Sequence, residues 1–152
     1  MEFIIIILGI IVDRVSKLWA IGTLKGGKDI VIIDKFFQLS YLENRGAAFG
    51  ILQNKVIFLS IFTIILILGL SIFLYKNRKK SKLLSISLSL IIGGALGNFY
   101  DRIIYKYVVD FILLHYKDKY YFPTFNMADV FVVCGTILLA IYILKDENHG
   151  TI

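Results

Sequence analysis

Residues Val56 to Tyr75 read VIFLSIFTIILILGLSIFLY, and KNRKKSK, Lys76 to Lys82, follows directly. The first stretch carries no charge over its whole length, and about 20 apolar residues in a helix cross the hydrocarbon core of a bilayer. The second stretch is short and is the densest basic cluster of the chain. Short basic loops stay on the cytoplasmic side of a membrane. These neighbouring segments therefore predict a membrane span and its direction.

Three more stretches are long and apolar enough to cross: roughly residues 3–22, 83–99 and 128–144. With the basic loop inside, both termini face the cytoplasm. The two longer connections, about 23–55 and 100–127, then face outward. Lys145, just past the last span, agrees. Phe3 to Val12 has the look of a signal-peptide core. No basic region precedes it, and Asp13 and Arg14 follow with no small-residue cleavage site, so it reads as a retained first helix.

Composition supports bilayer as the solvent. The chain has 152 residues, is 58% hydrophobic and has a mean hydropathy of +0.78. One soluble core of that size could not hide so much apolar surface. The length fits a single domain over 1–152. The net charge is +6, from 17 Lys+Arg and 11 Asp+Glu. No RNA-binding motif or separate basic domain accompanies it, so the excess reads as a topology signal and no nucleic-acid partner is expected. The single cysteine, Cys134, cannot form an internal disulfide and lies in an apolar run. It reads as a small buried hydrophobe.

In the first outer connection Phe37, Leu39 and Tyr41 alternate with Gln38 and Ser40, the period of a half-buried strand. A small β element over about 29–43 is expected on the outer surface. Tyr116 to Phe122 mixes aromatic and charged residues, as an interfacial loop would. The expected fold is a mainly α membrane protein, with four transmembrane helices and a small extracytoplasmic β element.

A charge within a span opposes insertion by about 2.5–3.5 kcal/mol at a helix centre, so each one calls for an account. Asp13 and Lys17 are four residues apart and share a helix face, where they can pair. That pair can lock helix packing or serve a site. On the predicted topology Asp13–Lys17, the 44–50 segment NRGAAFG, the 93–102 segment GGALGNFYDR, Asp110, and Asn126 with Asp129 all gather at the outer face. Gly93 and Gly97 are spaced for close helix approach. Asn98 and Arg102, four apart, share a face.

Asp110 and Asp129 each stand among apolar neighbours. Two carboxylates brought together in a low-dielectric site cannot both ionise easily, so they titrate as a coupled pair. One protonated and one ionised carboxyl can activate a water and protonate a carbonyl oxygen, the requirement for aspartyl peptide hydrolysis. Spacing alone leaves a second reading open, because Asp129 near a helix start also suits a helix N-cap. No His-Glu-x-x-His motif is present and His115 and His149 stand alone, so no metal is expected. Ser85, Ser87 and Ser89 lack a Gly-x-Ser-x-Gly turn and read as small polar residues tolerated in a span.

At these residues the sequence resembles the signal peptidase II family, the lipoprotein signal peptidases. The blocks that carry the likeness are Asp13 to Lys17, residues 44–50, residues 93–102, Val108 to Phe111 and Phe122 to Asp129. Their order covers nearly the whole chain. Arg14 departs from it, standing where a neutral polar residue is more usual. The resemblance implies a membrane aspartyl endopeptidase that removes signal peptides from diacylglyceryl-modified prolipoproteins, cutting before the lipidated cysteine. It implies Asp110 and Asp129 as the catalytic dyad, and Asn44, Gly94, Asn98, Arg102 and Asn126 as substrate-binding. Asp13 and Lys17 would give structural support, and the enzyme would need no cofactor. The expected partners are lipidated precursors and membrane lipid, with the protein a monomer in the bacterial cytoplasmic membrane and its site near the outer face. The alternative is a small proton-coupled transporter using Asp13 as its intramembrane acid. A non-catalytic assembly factor, a third class, would need no carboxylate pair. Transporters bind near the midplane, whereas the polar segments here gather at one surface.

Overall fold

The computed structural model describes residues 1–47, 51–117 and 119–148; residues 48–50 of the NRGAAFG segment, Asp118 and His149 lie outside the described residues. Its helices are α1 (Glu2–Leu24), α2 (Val56–Asn77), α3 (Lys82–Tyr105) and α4 (Met127–Asn148). At about 1.5 Å per residue each is roughly 33–36 Å long, enough for a hydrocarbon core of about 30 Å. By length and composition α2, α3 and α4 each qualify as spans. Helix α1 matches them in length but carries Asp13, Arg14 and Lys17, whose charges are met inside the protein.

Helix α3 is the hub and packs against the other three. Its small residues allow this. A methyl group added at Gly93 would stand 3.3 Å from the Ile6 carbonyl oxygen of α1, and one at Gly94 would collide with the Ala128 carbonyl of α4. On the far side, a methyl at Gly135 of α4 would stand 2.7 Å from the Ser87 carbonyl of α3. Such close backbone approach is what small residues give helices in lipid. Away from this seam Leu74, Leu84, Leu88 and Ile92 form an apolar core. Ile57, Phe58, Ile61 and Ile65 of α2 point outward, as suits a lipid-facing surface.

The strands are β1 (Ile30–Ile33), β2 (Phe37–Asn44), β3 (Val108–Tyr116) and β4 (Tyr120–Tyr121), in one antiparallel sheet of order β1-β2-β3-β4. Strands β1 and β2 form the β element expected over about 29–43. The rest of the sheet was not expected. Asp110 lies within β3, and Tyr120–Tyr121 adds a short strand where an interfacial loop was read. Residues Val108 to Phe111 are buried in succession, and a strand covered on both faces reads as a continuous apolar run without alternation. The pairing of Leu42 with Asp110 and Asn44 with Val108 joins the two outer connections. All four helices meet the sheet through the same end, because α1 and α3 lead into it while α2 and α4 lead out of it.

Two further expectations change. Helix α3 continues to Tyr105, six residues beyond the expected end of the span, so the 93–102 segment is helical throughout. Asp101 and Arg102 lower the hydropathy there, but Asp101 is neutralised inside the protein, so the helix need not stop. Cys134 is exposed on α4 rather than buried, because it lies off the stripe that Gly135 presses against α3.

Candidate active site

Asp110 and Asp129 come from different elements, β3 and the first turn of α4. Both line one cavity of about 850 Å³ at the junction of helices and sheet, together with Asn44, Asn98 and Arg102. Four amide donors hold the two carboxylates. Asn44 Nδ2 donates to Asp110 Oδ2 at 2.9 Å, and Asn126 Nδ2 to Asp110 Oδ1 at 2.6 Å. Asn98 Nδ2 donates to Asp129 Oδ1 at 2.8 Å, and the Asn126 backbone N–H to Asp129 Oδ2 at 3.1 Å.

Asp129 stands in the first turn of α4, and Asn126, not Asp129, is the residue that caps the helix. Asn126 Oδ1 accepts the Asp129 N–H at 3.0 Å while Asp129 reaches back to the Asn126 N–H, the reciprocal arrangement of a capping box. This fixes the carboxyl of Asp129 and still leaves it lining the cavity. Asn126 is fully buried and touches both carboxylates, so it holds them from behind.

The two acids sit in different surroundings. Asp110 is almost wholly buried, whereas Asp129 is only half-buried. Burial pushes the Asp110 carboxyl up to about 7, and the negative charge of Asp129 adds to the rise; the Asn44 and Asn126 amides oppose it. The pair thus has one acid that keeps its proton near neutral pH.

The structure brings Asn44, Asn98, Arg102, Asp110, Asn126 and Asp129 together. Arg102 faces the cavity and donates to the Gly46 carbonyl at 3.4 Å, a long bond. Gly94 does not line the cavity. It is buried under the Ala128 carbonyl and Val132, so its lack of a side chain serves the α3–α4 seam. Gly97 lies against the Asp13 carboxyl and Ala128.

Asp13 and Lys17 lie behind the cavity and pair at 2.9 Å. The sequence reading missed their third partner, Asp101, which is 3.0 Å from the Lys17 ammonium and also bonded to Arg14. Asp101 stands inside the 93–102 segment, and its spacing of three from Asn98 was the available signal. Lys17 Nζ also donates to Asn98 Oδ1 at 2.9 Å, linking the charged cluster to Asp129 through Asn98.

A sequence family described as Signal peptidase (SPase) II matches residues 5–145. A lipoprotein signal peptidase of Clostridium tetani is 60% identical over 149 residues, covering 98% of this chain and 96% of that protein. One from Halothermothrix orenii is 41% identical over 150 residues, covering 99% of each. A solved bacterial membrane enzyme, determined by the in meso method at 2.3 Å, superposes with a TM-score of 0.87 at 35% identity, covering 99% of this chain and 91% of that one. A second, at 1.9 Å, gives 0.83 at 37% identity, with 95% and 93% covered.

Proposed function

This chain belongs to the signal peptidase II family, and on that premise we propose that Asp110 and Asp129 are the catalytic pair with which it cleaves prolipoproteins. It is a membrane aspartic endopeptidase that removes the signal peptide from diacylglyceryl-modified precursors, cutting before the lipidated cysteine. One observation carries the assignment of the pair: two carboxyls from separate elements face one groove, each held by two amide donors, with one acid far more buried than the other.

Asp129 is the base and Asp110 the acid. A water between them gives a proton to Asp129 as its oxygen attacks the scissile carbonyl carbon. Asp110 gives its proton to the carbonyl oxygen. Collapse of the tetrahedral intermediate breaks the C–N bond as the proton held by Asp129 passes to the leaving nitrogen and a hydroxyl proton of the intermediate returns to Asp110, which restores the pair. Asn44 and Asn98 keep the carboxyls aimed, and Arg102 faces the space where peptide carbonyls would lie.

The groove also runs along α4 past Val130, Val133 and Cys134. Val133 and Cys134 are exposed on the bilayer side of that helix, so lipid-borne substrate can enter sideways. Each acyl CH₂ that leaves water contributes about 0.8 kcal/mol, which keeps the substrate in the membrane plane beside the site. The chain would act as a monomer, with no metal, organic cofactor or nucleic acid taking part in the cleavage. No observation favours the transporter.

The test is cleavage of a diacylglyceryl precursor by the purified chain across pH. Because Asp110 must carry a proton and holds it up to about 7, activity is expected to be high on the acid side of neutral and to fall as pH rises through about 7. A rate still climbing at pH 9 overturns the assignment of Asp110 as the acid.

The site lies near the outer face and both termini are cytoplasmic, on the direction set by residues 76–82. With Cys134 replaced by Ser, a cysteine at Lys119 is expected to react with an impermeant maleimide from outside intact cells. One at Lys79 is expected to react only after the membrane is opened. The reverse pattern inverts the topology and rejects it.

A further inference from the structure

Behind the groove, two carboxylates that the hydrolysis does not use each grip a backbone amide. Asp13 Oδ1 accepts the Ala128 N–H at 3.0 Å, and Asp101 Oδ2 accepts the Val109 N–H at 3.1 Å. Ala128 immediately precedes Asp129 and Val109 immediately precedes Asp110. Lys17 stands between the two carboxylates, 2.9 Å from Asp13 Oδ2 and 3.0 Å from Asp101 Oδ2. Asp13, Lys17 and Asp101 are all essentially without solvent exposure.

We infer that Asp101 and Asp13, bridged by Lys17, are positioning residues that set the separation of the dyad by tying down the main chain just before each catalytic aspartate. The inference rests on the dyad reading. Asn126 bridges the dyad side chains directly, and the backbone of Phe125 just before it pairs with Ile112 of β3, so the turn has one local tie to the strand. The charged bridge adds a second, anchored on α1 and α3, that reaches the amide next to each acid. Arg14 completes it as a second cation on Asp101. Its guanidinium lies over the Tyr100 and Tyr105 rings at 4.9 and 5.5 Å, which holds it in place. The unusual arginine of this chain is thus part of the same device.

Positioning acts on the reaction and leaves capture of substrate alone. A displacement of about 1 Å at reacting groups can slow a reaction by about 10²-fold. Asp101→Ala is therefore expected to lower kcat per folded molecule by about 30- to 100-fold with KM within about threefold of wild type. Asp101→Asn keeps an oxygen for the Val109 N–H and is expected to recover at least about tenfold of that loss. Asp13→Ala and Asp13→Asn should form the same pair of results for Ala128. Unchanged kcat in Asp101→Ala, an equal rise in KM, or no recovery in Asp101→Asn overturns the inference. Should Asp101→Ala not fold, Arg14→Gln decides. Its side chain is partly exposed, and a kcat lowered about 3- to 10-fold at constant KM is expected; wild-type kcat overturns the inference. Asp110→Asn run beside them separates the two claims. Retained cleavage there removes the dyad itself, whereas an inactive Asp110→Asn with a fully active Asp101→Ala removes only the positioning role.

Discussion

Asp129→Asn and Asp110→Asn are each expected to lower cleavage of a lipidated precursor by about 10³-fold or more, with the protein still folded. The size follows from the chemistry, since positioned acid–base catalysis contributes about 10²–10⁴-fold and neither amide can exchange a proton with water or the carbonyl. Folding should survive because each Asn keeps the volume and an acceptor oxygen. At position 110 one of the two amides, Asn44 or Asn126, which bond separate oxygens of the acid, keeps its acceptor, and the repulsion between two acids in a buried site is gone. At position 129 the backbone of the turn is still held by Asn126 Oδ1. Mass spectrometry of the released peptide reads the activity, and thermal unfolding in detergent reads the fold. Cleavage within about tenfold of wild type by either variant, at an unchanged unfolding midpoint, rejects the dyad.

Lys17→Met is the second large effect, and it falls on stability. Lys17 has no exposed surface and is the cation shared by Asp13 and Asp101. Methionine fills the space but leaves Asp13 with no ionic partner within α1 and Asp101 with Arg14 alone. Breaking a buried pair from one side destabilises by about 3–5 kcal/mol, which for a chain of this length lowers an unfolding midpoint by about 10 °C or more. Adding Asp13→Asn to Lys17→Met removes the stranded carboxylate and should restore part of the loss, because the amide can still accept the Ala128 N–H. An unfolding midpoint for Lys17→Met equal to wild type would mean that the cluster does not hold α1, α3 and α4 together.

Most of the helical frame was legible along the chain. Three of the four helices announce themselves by long, predominantly apolar runs. The fourth, α1, was legible despite its charges, because Asp13 and Lys17 at a spacing of four predict their own pairing, and the structure shows it at 2.9 Å. The chemistry-bearing residues were legible for the same reason. An Asp or Asn amid apolar neighbours is expensive in lipid, so each one marks a place where the protein supplies a partner. What stayed hidden was partnership across distance. Gly94 read as a substrate contact, since a glycine beside Asn98 carries no sign of which helix will press on it, and the structure puts the α4 backbone there. Asp101 drew no reading of its own along the chain, and only folding brings Arg14 and Lys17 of α1 to it.

Sequence by itself determined the apolar character of this protein, the number of its helices, and which polar groups had to be satisfied inside it. Those follow from local hydropathy and the energy of placing charge in hydrocarbon, both properties of short segments. Tertiary structure alone decided that β3 pairs with β2, that Asn126 bridges two acids, and that Lys17 stands between Asp13 and Asp101, which accept the amides of Ala128 and Val109. These are contacts between residues as many as 115 positions apart, and no local periodicity encodes them, because the free energy that selects them exists only once the helices have packed.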